Sequence, residues 1–252
     1  MTETTRAVIV TGGARGIGAA ISQAFYEAGY WVVIAARTDS GLASTLGERA
    51  RFIATDVRRP QSLHAMVEQT IDWAGRLDVL VNNAGVSGWR RLADIDEEFW
   101  QDMVDTNLKS MLFACQAAAP HLRSGGSIVA VSSLAGKRGS ANNSVYCATK
   151  FGVNAVTQSL AKELGPTGVR VNAVCPVYVQ TPGLEDALGE SESPAGGGDI
   201  PSYLATFAAT QTALGVLPTA SQVAAACVFL ASPAAGAITG QCLNVDCGAL
   251  PQ

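Results

Sequence analysis

The sequence predicts an α/β fold in which strands and helices alternate along the chain. Three observations carry this expectation. Continuous apolar runs at Ala7-Val8-Ile9-Val10, Trp31-Val32-Val33-Ile34-Ala35 and Val79-Leu80-Val81 suit strands buried on both faces. Segments with apolar residues at helical spacing lie between them. The 252 residues, 48% of them hydrophobic, can bury one large core, so a single domain over residues 1–252 is expected.

Composition removes several function classes. The formal net charge is -4 and no basic run exceeds two residues, so a nucleic-acid partner is not expected. Met1 to Arg6 is polar and lacks the apolar core of a signal peptide, and no stretch approaches about 18 uninterrupted apolar residues. The expectation is a soluble cytoplasmic protein without a membrane partner. Six cysteines are scattered without a Cys-x-x-Cys pair, and the two histidines, His64 and His121, lie far apart, so neither a metal site nor a disulfide framework is indicated.

The first strand runs straight into Thr11-Gly12-Gly13-Ala14-Arg15-Gly16-Ile17-Gly18, and Ile17, Ile21, Ala24, Phe25 and Ala28 then recur at helical spacing up to Gly29. Strand, glycine turn and helix in this order let a backbone approach a pyrophosphate whose charge meets the helix N-terminus. The spacing is Gly-x-x-x-Gly-x-Gly rather than Gly-x-Gly-x-x-Gly, and such a turn also occurs simply to permit tight packing. The second strand ends at Ala36-Arg37-Thr38, where an acidic residue would suit NAD and an arginine suits the 2'-phosphate of NADP. With Arg37 there and Arg15 in the glycine turn, NADP(H) is preferred and NAD(H) is the alternative.

Arg51-Phe52-Ile53-Ala54-Thr55 reads as a third strand, followed by Asp56-Val57, where the acid could face an adenine amino group. Pro60 to Trp73 is predicted helical, with proline in its first turn. After Val79-Leu80-Val81, the tetrapeptide Asn82-Asn83-Ala84-Gly85 can tie the strand end to its neighbours and leave room for a ribose. The pattern from Asp96 to Leu122 is helical and long, with Asn107 in its middle despite an unfavourable propensity. Ser127-Ile128-Val129-Ala130-Val131 is the next strand, leading to Ser132-Ser133.

A helix over Ser144 to Leu164 would place Tyr146 and Lys150, four residues apart, on one face. A free phenol titrates near pH ~10, and at an effective dielectric of about 20 a cation roughly 5 Å away contributes about 3 kcal/mol, or around two pKa units. Lys150 is therefore expected to draw Tyr146 toward the range useful for proton transfer. A further strand, Val169 to Val174, precedes Pro176. A flap is expected over about residues 177–217, without sustained periodicity from 177 to 202, and mobile. Ser221 to Ala231 reads as a helix and Gln241 to Val245 as the last strand.

Thr11 to Gly18, Asn82 to Gly85, Ser133, Tyr146 and Lys150 together, in this order, resemble the short-chain dehydrogenase/reductase family in its ordinary single-domain form, from Ala7 to Gly248. The resemblance implies a doubly wound, Rossmann-type sheet of seven mainly parallel strands with helices on both faces. It implies a catalytic set of Asn107, Ser133, Tyr146 and Lys150. Tyr146 would exchange a proton with the carbonyl or alcohol oxygen, and Ser133 would hydrogen-bond that oxygen. Lys150 would lower the tyrosine pKa and hold the nicotinamide ribose, while Asn107 would organise a water leading to solvent. Ser132 is the rival serine, but the thirteen-residue interval to Tyr146 matches Ser133.

Cofactor contacts carry over to Gly12, Arg15, Gly16, Ile17, Gly18, Arg37, Asp56, Val57, Asn83, Ala84, Gly85, Tyr146, Lys150, Pro176, Val179 and Thr181. Substrate contacts are expected from Trp89, Leu134, Arg138, Val145, Tyr178 and Leu184, and one or more of Arg90, Arg91, Lys137 and Arg138 could meet an anionic substrate tail. Two positions depart from the family pattern: Val177 follows Pro176 where glycine is usual, and Cys247 interrupts Asp-Gly-Gly. The implied activity is hydride transfer between NADP(H) and a secondary alcohol or ketone. The alternatives are an NAD-dependent polyol or hydroxy-acid dehydrogenase and a non-catalytic dinucleotide-binding scaffold. A homotetramer, packed through the Tyr146 helix and the long helix before it, is also implied.

Overall fold

Seven strands form one sheet in the computed structural model, which describes residues 6–251. The polar start from Met1 therefore lies outside the described residues, apart from Arg6. The chain runs β1 (Ala7–Thr11), α1 (Gly16–Glu27), β2 (Trp31–Ala36), α2 (Leu42–Leu46), β3 (Ala50–Ala54), α3 (Pro60–Ala74) and β4 (Leu77–Asn82). It continues through α4 (Glu97–Val104), α5 (Ser110–Ala118), β5 (Leu122–Val131), α6 (Ser144–Leu164) and β6 (Arg170–Pro176). The last elements are α7 (Pro182–Leu188), α8 (Ile200–Gln211), α9 (Ala220–Ala231) and β7 (Cys242–Val245).

The strand order is β3-β2-β1-β4-β5-β6-β7, and every neighbouring pair is parallel. The order reverses between β1 and β4, which opens a crevice at the carboxyl ends of the strands. Strand residues alternate between two cores. Ile9, Leu80, Ile128 and Ala130 pack with Leu63, Met66, Met111 and Val153 from α3, α5 and α6. Val8, Val10, Val79, Val129 and Val131 pack with Ile21 and Phe25 of α1 and Val223, Cys227 and Leu230 of α9. Both sheet faces are thus covered, which is why the strands read as unbroken apolar runs. This is the doubly wound architecture expected from the sequence.

Two regions differ from expectation. The segment 97–121 is helical, but it is not one regular helix: residues Asp105–Lys109, between α4 and α5, form a π-helical turn that includes Asn107. The segment expected to be irregular from 177 to 202 contains all of α7 and the start of α8. Thr181 caps α7 by accepting the Leu184 N–H at 3.3 Å, and Asp199 caps α8 by accepting the Ser202 N–H at 3.0 Å. Trp89, Ala187, Leu188 and Leu204 then close a small apolar cluster of their own. Short helices separated by a glycine run give little periodicity to read.

Asp78 fastens the start of the sheet. It is buried, accepts the Ala7 N–H at 2.8 Å, and receives Arg76 at 2.7 Å and 2.6 Å in a two-pronged pair. Removing one partner of such a pair strands the other, so Asp78→Ala should lower unfolding free energy by about 3 kcal/mol. Urea unfolding would measure it; a loss within about 0.5 kcal/mol would contradict this role.

Candidate active site

A cavity of about 770 Å³ follows the carboxyl edge of the sheet from Arg37 to Tyr146. One end is a cradle made by the turn after β1. Gly12 and Gly16 have φ of 64° and 54°, and α1 begins at Gly16 without a side-chain cap. A Cβ on Gly18 would run into the Gly12 carbonyl oxygen, and one on Gly12 would lie 2.9 Å from Ala84 Cα. Thr11 Oγ1 accepts the N–H groups of Asn83 and Ala84 at 3.0 and 3.2 Å, while Asn83 Nδ2 donates to the Thr11 and Gly12 carbonyls. The end of β4 is thereby stitched to the glycine turn, as the amide-rich tetrapeptide suggested. Backbone N–H groups at an uncapped helix start, with no Cβ in the way, fit the pyrophosphate of a dinucleotide.

The adenosine end of the cavity is lined by Arg15, Arg37, Asp56, Val57 and Arg58. Arg58 did not figure in the sequence expectation. It grips Asp56 through two hydrogen bonds, Nε at 3.0 Å and Nη2 at 2.9 Å, which hold the carboxyl down at about 2. Asp56 is therefore already paired where it was expected to face adenine.

At the other end Ser133, Tyr146 and Lys150 share the cavity wall with Leu134, Pro176, Val177 and Tyr178. The register of β5 beside β6 brings Ser132 and Ser133 to the carboxyl edge, opposite the first turn of α6. Ser132 Oγ donates to the Lys150 carbonyl at 3.3 Å and is buried, so it serves the α6 backbone. Ser133 hydrogen-bonds the Tyr146 side chain and accepts the Ala135 N–H at 3.1 Å. Lys150 Nζ donates to the Val131 carbonyl at 3.0 Å and lies 5.7 Å from the Tyr146 ring centroid.

Electrostatics depart from the expectation that Lys150 draws the tyrosine down. Burial pushes the Tyr146 phenol up to about 12, although its hydrogen bond to Ser133 pulls the other way. Burial also pulls the Lys150 ammonium down to about 8. Desolvation of both charged forms outweighs their mutual help in the protein alone.

Asn107 does not line the cavity. Its Oδ1 accepts the Val86 N–H at 2.8 Å, and its Nδ2 donates to the Val86 carbonyl at 2.9 Å and to Thr149 Oγ1 at 3.2 Å. It clamps the segment after Gly85 to the helix carrying Lys150. Val145 is another correction: it is buried and absent from the cavity wall, because one residue before Tyr146 is about 100° away around the helix. The remaining cofactor and substrate residues expected from sequence, from Gly12 and Ile17 to Val179, Thr181, Trp89 and Leu184, all line the cavity.

Three of the four cations expected near a substrate tail are engaged elsewhere. Arg90 pairs with Glu190 at 3.1 Å, Arg91 pairs with Asp94 and Glu192 at 2.8 and 3.4 Å, and Lys137 donates to the Cys242 carbonyl at 2.7 Å. Arg138 alone of the four stays exposed on the cavity wall. Asn143, Ser140 and Phe207 also line it and were missed. Phe207 sits on a helix without a clear sequence signal, whereas Asn143 could have been found as the residue one turn before Tyr146. Val177 does face the cavity, and Cys247 adopts a left-handed φ of 54° where glycine is usual.

Residues 12–249 match the family described as Enoyl-(Acyl carrier protein) reductase. The sequence is 40% identical to a "Monensin polyketide synthase putative ketoacyl reductase" of Streptomyces virginiae, covering 98% of this chain and 97% of that one. The chain belongs to the short-chain dehydrogenase/reductase family. A Brucella melitensis structure titled as a short-chain dehydrogenase/reductase of glucose/ribitol dehydrogenase type superposes with TM-score 0.89 at 30% identity over all of both chains. The 3-ketoacyl-(acyl-carrier-protein) reductase of Brucella melitensis complexed with NADH superposes with TM-score 0.86 at 30% identity, covering 97% and 98% of the two chains. The protein is accordingly an oxidoreductase that resembles ketoacyl reductases.

The buried lysine generates a pH test. An unfolded lysine keeps its proton up to about 10.5, whereas folded Lys150 releases it above about 8, so the Lys150 contribution to stability should rise with pH between those values. Between pH 7 and 9.5 wild type should gain about 2 kcal/mol relative to Lys150→Met in urea unfolding of the cofactor-free proteins, a difference that cancels the opposing effect of Cys115 and Cys227, whose thiols burial pushes up to about 12. Lys150→Met should be more stable than wild type at pH 7 and lack that rise; an identical pH profile would refute the assignment.

Proposed function

We propose that this protein reduces a ketone to a secondary alcohol with NADP(H), Tyr146 being the proton donor. The observation that carries this reading is that Tyr146, Ser133 and Lys150 share one cavity with the glycine cradle. A nicotinamide dinucleotide held there would supply the hydride. The chain supplies the rest. Tyr146 keeps its proton through neutral pH, which is the form that reduction requires. Its O–H donates to the carbonyl oxygen as negative charge develops, and Ser133 Oγ–H stabilises the same oxygen. Lys150, half-charged near pH 8, holds a ribose hydroxyl and returns a proton to Tyr146. Asn107 is a positioning residue, because it fixes Val86 and Thr149 around Lys150.

Preference for NADP(H) over NAD(H) is supported by Arg15 and Arg37 at the adenosine end, with Asp56 neutralised by Arg58. The reading further includes one domain with a substrate flap at about 177–217, and a homotetramer. Trp100, Leu112 and Phe151 expose apolar surface on α4, α5 and α6, and Phe229 and Leu243 do so on α9 and β7. Free thiols at all six cysteines suit a reducing cytoplasm. Light scattering should give about four times the 26.0 kDa chain mass; a monomer would remove the assembly.

Steady-state reduction of a ketone panel with both cofactors tests the reaction. Wild type should favour NADPH by at least about tenfold in kcat/KM, and Arg37→Asp should reverse the order. Tyr146→Phe should lose about a thousandfold in kcat yet bind NADPH as wild type does. Full turnover by Tyr146→Phe would defeat the mechanism.

A further inference from the structure

The substrate end of the cavity carries two features that proton and hydride transfer leave unexplained. The first is an aromatic wall. Tyr178, just after Pro176, meets Phe207 edge-to-face with centroids 4.8 Å apart at 67°, and meets Tyr203 at 5.9 Å. The Tyr178 and Tyr203 hydroxyls share one hydrogen bond at 3.1 Å, which ties the two rings together. Phe207 stays partly open, and Tyr178 and Phe207 both line the cavity that holds Tyr146. Arg138 and Tyr146 both lie close enough to Tyr178 to act on its phenol. An edge-to-face pair on a cavity wall offers a third ring both an edge and a face.

The second feature is Asn143. Among the described residues, two buried side-chain polar atoms have no partner, Asn143 Oδ1 and Asn244 Oδ1. Only Asn143 belongs to the cavity wall. It precedes α6 at the capping position, yet its side chain caps no helix N–H; Nδ2 reaches Ser140 Oγ at a long 3.3 Å. It stands three residues before Tyr146, nearly one helical turn, and is 5% exposed. A buried acceptor without a donor is unfavourable, and a ligand hydroxyl would relieve it.

We propose that the substrate is an aryl ketone whose ring seats against Tyr178 and Phe207 and whose hydroxyl donates to Asn143 Oδ1. This inference rests on the ketone-reductase reading. Of the four cations, Arg90, Arg91 and Lys137 are engaged by carboxylates or by backbone and Arg138 stays exposed on the cavity wall, so beside that one charge the wall offers ring contact at Tyr178 and Phe207 and a neutral hydrogen bond at Asn143.

Acetophenone and cyclohexyl methyl ketone, nearly equal in volume, separate aromatic contact from simple apolar fit. Wild type should favour acetophenone by about tenfold in kcat/KM, and Phe207→Leu should bring the ratio close to one. Among the three hydroxyacetophenones, one isomer should gain about tenfold over acetophenone, chiefly through KM. Within Asn143→Leu the ratio of that hydroxyacetophenone to acetophenone in kcat/KM should fall to about one, and Asn143→Asp, which keeps an acceptor, should retain the gain. Equal rates for the phenyl and cyclohexyl ketones overturn the inference, as does an Asn143→Leu variant that slows all ketones alike. Saturation-transfer NMR on the NADPH-loaded protein separates the two readings. If no ketone is reduced but acetophenone ring protons report contact that Phe207→Leu removes, the reaction fails and the ring site stands. Absence of that contact in wild type overturns the ring site.

Discussion

A lysine ammonium is held out of water at the carboxyl edge of the sheet, and much of the site depends on that constraint. Burial pulls Lys150 down to about 8, although the Val131 carbonyl accepts a hydrogen bond from its ammonium. Its place is set by packing around α6. Ser132 bonds the Lys150 carbonyl, and Gly136 lets the loop after β5 approach so closely that a Cβ there would stand 2.6 Å from that same carbonyl oxygen. Asn154 and Thr149 complete the fixture with bonds to Gly136 and Asn107. Stability is lowered where the chemistry is placed, a common trade at active sites.

The same desolvation changes the character of the tyrosine. A lysine that fully ionised its neighbour would produce a base at neutral pH. Here the phenol retains its proton, with Ser133 as its hydrogen-bond partner. In that state the phenol can give a proton and cannot take one.

Much of the fold could be read from the sequence because its strands are buried on both faces, and α6 spans Ser144–Leu164 as the spacing indicated. The glycine turn, Ser133, Tyr146 and Lys150 were legible because a few residue types at fixed intervals carry their chemistry. The flap helices were hidden by their shortness and their glycines. Arg58 was hidden because its role follows from the pairing with Asp56, which no periodicity encodes. Phe207 and Asn143 depend on how α8 and the turn before α6 close over the crevice, a relation between distant segments. The effect of Lys150 on Tyr146 was misjudged for a related reason: spacing gives distance along a helix, whereas burial decides the dielectric through which the charges act.

The π-helical turn at Asp105–Lys109 fixes how tolerant this part of the chain is to length changes. Such a turn holds one residue more than an α-helical turn would. Deleting one residue between 105 and 109 would remove that extra residue and restore a regular helix, leaving α4 and α5 nearly in their present phase while shifting the backbone that carries Asn107. Asn107 would then lose its place against Val86 while α4 keeps its packing with α6. A one-residue deletion in a solvent-facing helix is often absorbed by a neighbouring loop; here both ends are pinned, by Asp96 capping α4 and by Met111 and Cys115 in the core. The turn holds one extra residue to place Asn107 without turning α4 against α5.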